Sequence, residues 1–181
     1  MSDIMTTIRE RRSIRNYADK EVPEDALHAI LEAVQWTPSW ANTQCWKIVV
    51  VKDPAVKAAL QEAVPASNPA FKSIVKAPVV LALCAEKGTS GYYKDIVTTR
   101  YGDWFMFDLG LAAQSICLAA HEKGLGTLIV GLYDHGKVDK ALNLPDGVEN
   151  VALIPWDMPP RCRMRRSEKP SPNSHAMILT K

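Results

Sequence analysis

The chain carries almost no net charge, no clustered cysteine and no uninterrupted apolar run of membrane-spanning length, and each absence removes a class of function. A formal charge of +2, with acids and bases evenly spread, argues against nucleic acid as the main ligand, because phosphate backbones select broad basic faces. The exception is the locally basic stretch from Arg161 to Lys169. Cys45, Cys84, Cys117 and Cys162 lie far apart and form neither a CxxC nor a Cys/His ligand spacing. Structural zinc and a disulfide framework are therefore not expected, and a reducing cytoplasm is the expected compartment. The opening residues are charged and lack an apolar core followed by a small-residue cleavage site, so no signal peptide is expected. His28, His121, His135 and His175 fall into no acid/base set, and no catalytic side chain is assigned. Repeats and long linkers are missing too. The 181 residues read as one α+β unit, either a single domain with a full core or one protomer of an intimate oligomer.

What is present is concentrated in two segments. Arg11-Arg12-Ser13-Ile14-Arg15 packs three guanidiniums and a hydroxyl into five residues. Each guanidinium is a planar fork that meets oxyanion oxygens two at a time, so the set suits a phosphate. The second segment, Pro38-Ser39-Trp40-Ala41-Asn42-Thr43-Gln44-Cys45-Trp46, is a loop carrying aromatic and amide groups able to line a flat polar heterocycle. The plainer readings are a solvated helix face for the first and a turn for the second. Their occurrence in order, one helix apart, points instead to a phosphorylated, ring-bearing cofactor.

Periodicity supplies the frame. A first helix is expected over 4–13, leading into the arginines. Pro23 stands where a second helix can begin, with Glu24 and Asp25 at the positive end of its dipole. Leu27, Ile30, Leu31 and Val34 give that helix one buried stripe. Strands are expected over 46–52, 78–84, 127–130 and 151–155, where β-branched and other apolar residues run together. Shorter helices are expected over 54–63 and 137–142. From Asp103 to Lys123 almost no polar face remains, and a helix apolar on all sides is buried on all sides. Asp103, Asp108, Gln114 and Ser115 interrupt it, so it reads as a central helix enclosed by its own sheet and by a second subunit, not as a membrane span. Gly124 suits its C-terminal cap.

In order, Arg11 to Arg15, Pro38-Ser-x-x-Asn-x-Gln-x-Trp46, Ala77-Pro-Val-Val80, Asp108-x-Gly-x-Ala-x-Gln114 and Gly124-Leu-Gly-Thr127 with Gly131 after it form a pattern. The chain resembles the flavin-dependent nitroreductases over about residues 8–155. The resemblance implies an α+β fold with a central mixed, mainly antiparallel sheet flanked by helices, in an intimate homodimer that binds FMN. It implies that Arg11, Arg12, Ser13 and Arg15 hold the phosphate and ribityl chain and approach the pyrimidine edge. Pro38, Ser39, Trp40 and Asn42 would line the isoalloxazine, typically of the other subunit. Ile129, Val130 and Gly131 would present backbone groups near the reactive N5. Lys72 and Asn68 sit in too loose a spacing to be carried over.

The implied chemistry belongs to the cofactor. NADH or NADPH delivers hydride and leaves, and a nitroaromatic, quinone or related small-molecule acceptor then receives the electrons in a ping-pong scheme. No metal, nucleic acid or membrane partner is implied. Alternatives on the same fold are a dehalogenase-type relative, although those branches usually carry extra lid segments, and a flavin-storage protein with little turnover.

Two departures qualify the resemblance. Cys45 stands where the family usually has proline, and a buried small residue is the preferred reading over a reactive thiol. After Pro155 the family continues Leu-Gly-Tyr and later carries a basic pair that helps bind phosphate; here the chain reads Trp156-Asp157-Met158-Pro159-Pro160. Restoring one C before the TGG of Trp156 gives CTG-GGA-TAT-GC, which spells Leu-Gly-Tyr-Ala, and the same frame then permits Pro-Asp-Ala-Pro-Lys-Arg-Lys. The expected division is therefore an FMN-binding domain over 1–155 and a basic tail over 156–181 produced by a one-base frameshift. No residue of that tail is assigned to the late basic pair.

Overall fold

The computed structural model describes residues 3–18 and 22–157, so of the expected tail only Trp156 and Asp157 fall within it. Helix α1 (Ile4–Glu10) is shorter than expected. At Arg11 the backbone turns extended (φ −54°, ψ 131°), and Ser13 makes a parallel bridge to Thr127. The arginine segment is thus extended chain laid against a sheet, not the end of a helix. Helix α2 (Glu24–Gln35) follows Pro23 as its N-cap and buries Leu27, Ile30 and Val34. A short 3₁₀ turn (Trp40–Asn42) leads into β1 (Trp46–Val51). Helix α3 (Pro54–Ala63) starts on Asp53, whose carboxylate accepts the N–H groups of Ala55 and Val56, with proline at the first helical position.

Helix α4 (Phe71–Lys76) was not legible from periodicity, being under two turns long. It precedes β2 (Val79–Glu86) and a small hairpin, β3 (Tyr92–Tyr93) with β4 (Ile96–Val97). Helix α5 (Phe105–Glu122) ends before Gly124, whose φ of +75° fits the left-handed capping position. Then come β5 (Gly126–Thr127), α6 (His135–Leu142) and β6 (Val148–Asp157).

The main sheet runs β1-β2-β6-β5, each neighbouring pair antiparallel; among the described residues the parallel element is the Ser13–Thr127 bridge. Strand β2 shows why its sequence is apolar throughout. Val79, Leu81, Leu83 and Ala85 face one core with α2 and α5. Val80, Ala82 and Cys84 face a second core with α3, α4 and α6. A strand covered on both sides has no polar alternation, and each fully buried Leu or Ile contributes roughly 1.5–3 kcal/mol.

Two expectations need correction. The strand expected over 127–130 is regular only at Gly126–Thr127, with an isolated bridge from Val130 to Leu153. Between them stands Pro155: its carbonyl accepts the Leu128 N–H at 3.3 Å, but proline has no N–H to return. The last strand, expected to end at Pro155, continues through Trp156 and Asp157, both buried. As for α5, its sheet-facing side is buried, whereas Met106 and Phe107 are 59% and 56% exposed in the single chain. No helix among the described residues is long and apolar enough to cross a membrane.

Candidate functional site

The free edge of the sheet builds the site. Beside β6 the hydrogen-bonded register alternates: Val130 donates its N–H to Leu153 (2.9 Å) and accepts from it (3.0 Å). With a period of two, the backbone groups of 127, 129 and 131 point to the opposite, outer edge. There Thr127 accepts the Ile14 N–H at 2.8 Å, which draws the arginine segment onto the edge. Gly126 makes this approach feasible, because a Cβ at that position would meet Ile14 Cγ1 at 2.7 Å. Further along, the N–H groups of Ile129 and Gly131 have no partner among the described residues. Val130 therefore lends its side of the strand to the sheet, and its two neighbours carry the donors.

Two clefts open here. One, of about 190 Å³, is lined by Arg15, Asn68, Leu128 and the run from Ile129 to Leu132. The other, of about 410 Å³, is lined by Arg15, Asn16, Asn68, Phe71, Lys72 and Lys76 among others. They share Arg15, Asn68 and Pro69. Asn68 is fixed by its own turn: its side-chain Oδ1 accepts the Ala70 N–H (2.9 Å), and its Nδ2 donates to Leu132 O (3.3 Å). Ser73 donates to the Arg15 carbonyl at 3.0 Å, which pins α4 to the arginine segment.

The expected arginines divide. Arg15 is exposed and lines both clefts. Arg12 folds back, its Nη1 donating to the carbonyl oxygens of Arg9 and of Arg11, the latter at 2.7 Å. Arg11 and Ser13 are half-buried and line neither cleft. Asn68 and Lys72, which spacing alone did not secure, do line the larger one, as does Lys76. The readable signal for them was the Asn68-Pro69 turn opening a short helix.

Pro38, Ser39, Trp40 and Asn42 line neither cleft of their own chain. They belong to a loop anchored elsewhere. Ala41, Asn42 and Gln44 all have positive φ (45°, 54° and 47°), conformations that non-glycine residues adopt at a cost. The loop is held by Ser39 Oγ, which accepts the Gln44 N–H at 2.9 Å, and by the fully buried Asp108, whose Oδ1 accepts the Trp40 N–H at 3.0 Å. The other oxygen of Asp108 accepts from Ser90 Oγ (2.6 Å), with Cys45 Sγ at 3.7 Å. Burial, reinforced by Asp108, pushes the Cys45 thiol up to about 12. That is the inert thiol the sequence favoured, not a nucleophile.

The cleft residues suit a flavin mononucleotide. The set comprises the Arg15 guanidinium, the Lys72 ammonium, an oriented amide and two backbone donors, with no carboxylate among the described residues lining either cleft, and it matches ring carbonyls and an anionic chain. At Gly131 an added Cβ would meet nothing within 4 Å, so a flat group can approach the strand there.

The sequence pattern of the Nitroreductase family matches residues 8–155. The chain belongs to the nitroreductase family and is an oxidoreductase of that family. It is 29% identical over 161 residues to a Methanothermobacter thermautotrophicus protein named NADH dehydrogenase/NAD(P)H nitroreductase, covering 87% of this chain and 78% of the relative. It is 30% identical over 140 residues to a Bacillus subtilis protein named FMN reductase (NAD(P)H), covering 72% of this chain and 55% of that one. The crystal structure of a nitroreductase family protein from Clostridium novyi NT, at 24% identity, superposes with a TM-score of 0.79 over 90% of each chain. At that identity the likeness is one of fold.

Proposed function

We propose that this protein is a homodimeric, cytoplasmic FMN enzyme that takes hydride from NADH or NADPH and passes the electrons, in alternation, to a nitroaromatic, quinone or related acceptor. The observation that carries the reading is Arg15, which stands between two clefts beside the outward N–H groups of Ile129 and Gly131. The name of the Bacillus subtilis relative supports both FMN and NAD(P)H.

When bound, the flavin supplies the hydride and electron chemistry that the side chains lack. The chain binds and tunes it. Arg15 and Lys72 would compensate negative charge at the ring's polar edge, and Asn68, locked in its turn, would orient that edge. Ile129 and Gly131 would offer backbone donors, which favour a charge-bearing state without adding a titrating group. Arg11 and Ser13 would serve the phosphate end. Two features support the two-chain form. The exposed apolar residues of α5 (Met106, Phe107) and of α1 (Ile4, Met5, Ile8) form faces that a second copy would cover. The loop of Pro38, Ser39, Trp40 and Asn42, held rigid yet away from its own clefts, suits a role in the partner's pocket.

The visible spectrum of the purified protein, recorded anaerobically before and after NADH or NADPH, tests this. A yellow protein bleached by reductant and restored by a nitroaromatic or quinone is expected. A yellow protein that does not bleach would indicate flavin storage, and a colourless one that takes up no FMN would overturn the proposal.

A further inference from the structure

The larger cleft holds more positive charge than its neighbours explain. Arg15, Lys72 and Lys76 converge on it, and no carboxylate among the described residues lines it. Three formal charges in one cleft exceed the +2 of the whole chain. Two other surface lysines do have acidic partners, Lys47–Glu86 at 3.3 Å and Lys87–Glu149 at 3.4 Å. Arg15, Lys72 and Lys76 have no ion pair among the described residues. Lys72 and Lys76 lie four apart on α4, hence on one helical face. Arg15 comes from a different segment, held in place through its carbonyl by Ser73 of the same helix. A favourable placement of Lys76 near the helix C-terminus accounts for one charge, not for a second lysine and an arginine facing the same space.

A gathering of like charges with no counterion is a standing site for a multiply charged anion. On the flavin reading, Arg15 and Lys72 face the ring and the single flavin phosphate lies with the Arg11–Ser13 segment. Lys76, one turn further out, then has no function. The other polyanion this enzyme must admit is the reductant, whose pyrophosphate carries charge close to the nicotinamide. We infer that Lys76 seats a phosphate of the reduced nicotinamide dinucleotide at the mouth of the larger cleft. This rests on the flavin reductase reading.

The test uses FMN-loaded protein and anaerobic stopped-flow reduction by NADH and by NADPH at low and high salt, with FMN affinity measured separately. Lys76 is exposed, so its variants should fold. For Lys76→Ala the half-saturating dinucleotide concentration should rise about fivefold, and for Lys76→Glu roughly tenfold. Lys76→Arg should stay near the native value, and FMN affinity should be unchanged in all three. A loss of equal size with both reductants places the pyrophosphate at Lys76; a loss confined to NADPH places the 2′-phosphate there. An FMN-loaded Lys76→Glu protein with native half-saturation and native salt dependence for both reductants overturns the inference alone. Wild-type protein that takes up no FMN overturns the flavin reading and the inference with it.

Discussion

Asp108 and Ser90 share a 2.6 Å hydrogen bond inside the protein, and the opposite oxygen of the same carboxylate holds the Trp40 N–H at 3.0 Å. One buried acid thus ties the first residues of α5 to the chain leading into the β3–β4 hairpin and to the strained loop at 39–44. Asp108→Ala removes the acceptor of the Trp40 N–H, the Ser90 hydroxyl and the Cys45 thiol and should destabilise the protein by about 2–5 kcal/mol in urea unfolding. Asp108→Asn keeps an acceptor for Trp40 and should lose clearly less. Equal losses in the two variants would contradict this account.

Arg15 and Arg12 should behave differently although both belong to the same basic run. Arg15→Ala removes a charge that lines both clefts and should weaken FMN binding roughly tenfold. Arg12→Ala removes a guanidinium already engaged by the carbonyls of Arg9 and Arg11, so FMN affinity should change little. Fluorescence titration of the flavin separates the cases, and a larger effect at Arg12 would show that its side chain swings out to bind.

Gly126→Ala should displace Ile14, whose Cγ1 lies 2.7 Å from the position of the added Cβ. A destabilisation of about 1–3 kcal/mol is expected, accompanied by weaker FMN retention as the arginine segment lifts off the edge. Adding Ile14→Gly should restore part of the retention, since it removes every side-chain atom the new Cβ would meet, the Ile14 Cβ at 2.8 Å included.

Stability should fall at alkaline pH through Cys45. Its folded-state value, about 12, lies above the ordinary 9.0, so between these limits the unfolded chain releases a proton that the folded one keeps. This thiol's contribution is fully present below pH 9 and declines by about 1.4 kcal/mol per unit above it. Cys84 and Cys117 are raised by burial in the same direction. Cys45→Ala should flatten the alkaline limb measured by denaturant titration, and a thiol reagent at neutral pH should leave native Cys45 unmodified.

The reading frame after Pro155 can be settled directly by sequencing the coding DNA through that codon. Trp156 is buried, and its indole N–H has no acceptor among the described residues; such an omission costs about 1–3 kcal/mol. The leucine that the restored frame supplies would have no donor to satisfy. An uninterrupted frame with the same tail in close relatives would refute the frameshift.

How far the sequence was readable follows from how local each signal is. The stripe of α2, the proline start of α3 and the Gly124 cap of α5 are encoded by neighbours in the chain, and they were legible. The path of Arg11 to Arg15 is not, because a bond to Thr127 and the bare surface of Gly126 fix it from far along the chain. Asp108 registers in the sequence as a polar break in an apolar helix; its donors come from residues 40, 45 and 90 and meet only in the fold. Lys76 carries no local signal for a related reason: α4 is too short for periodicity to reveal which face it shares with Lys72. Pro155 was visible, but its effect on Leu128 depends on which strand lies alongside.

The outer edge at Ile129 and Gly131 has one more consequence. Its amide hydrogens are flanked by exposed apolar side chains, Ile129 and Leu132, which makes it a template on which a stray strand from another molecule could dock. Filling that seam with a tightly held small molecule would do more than equip the enzyme for turnover. It would keep newly made chains from sticking to each other, so protein prepared without the cofactor should clump more readily than the loaded form.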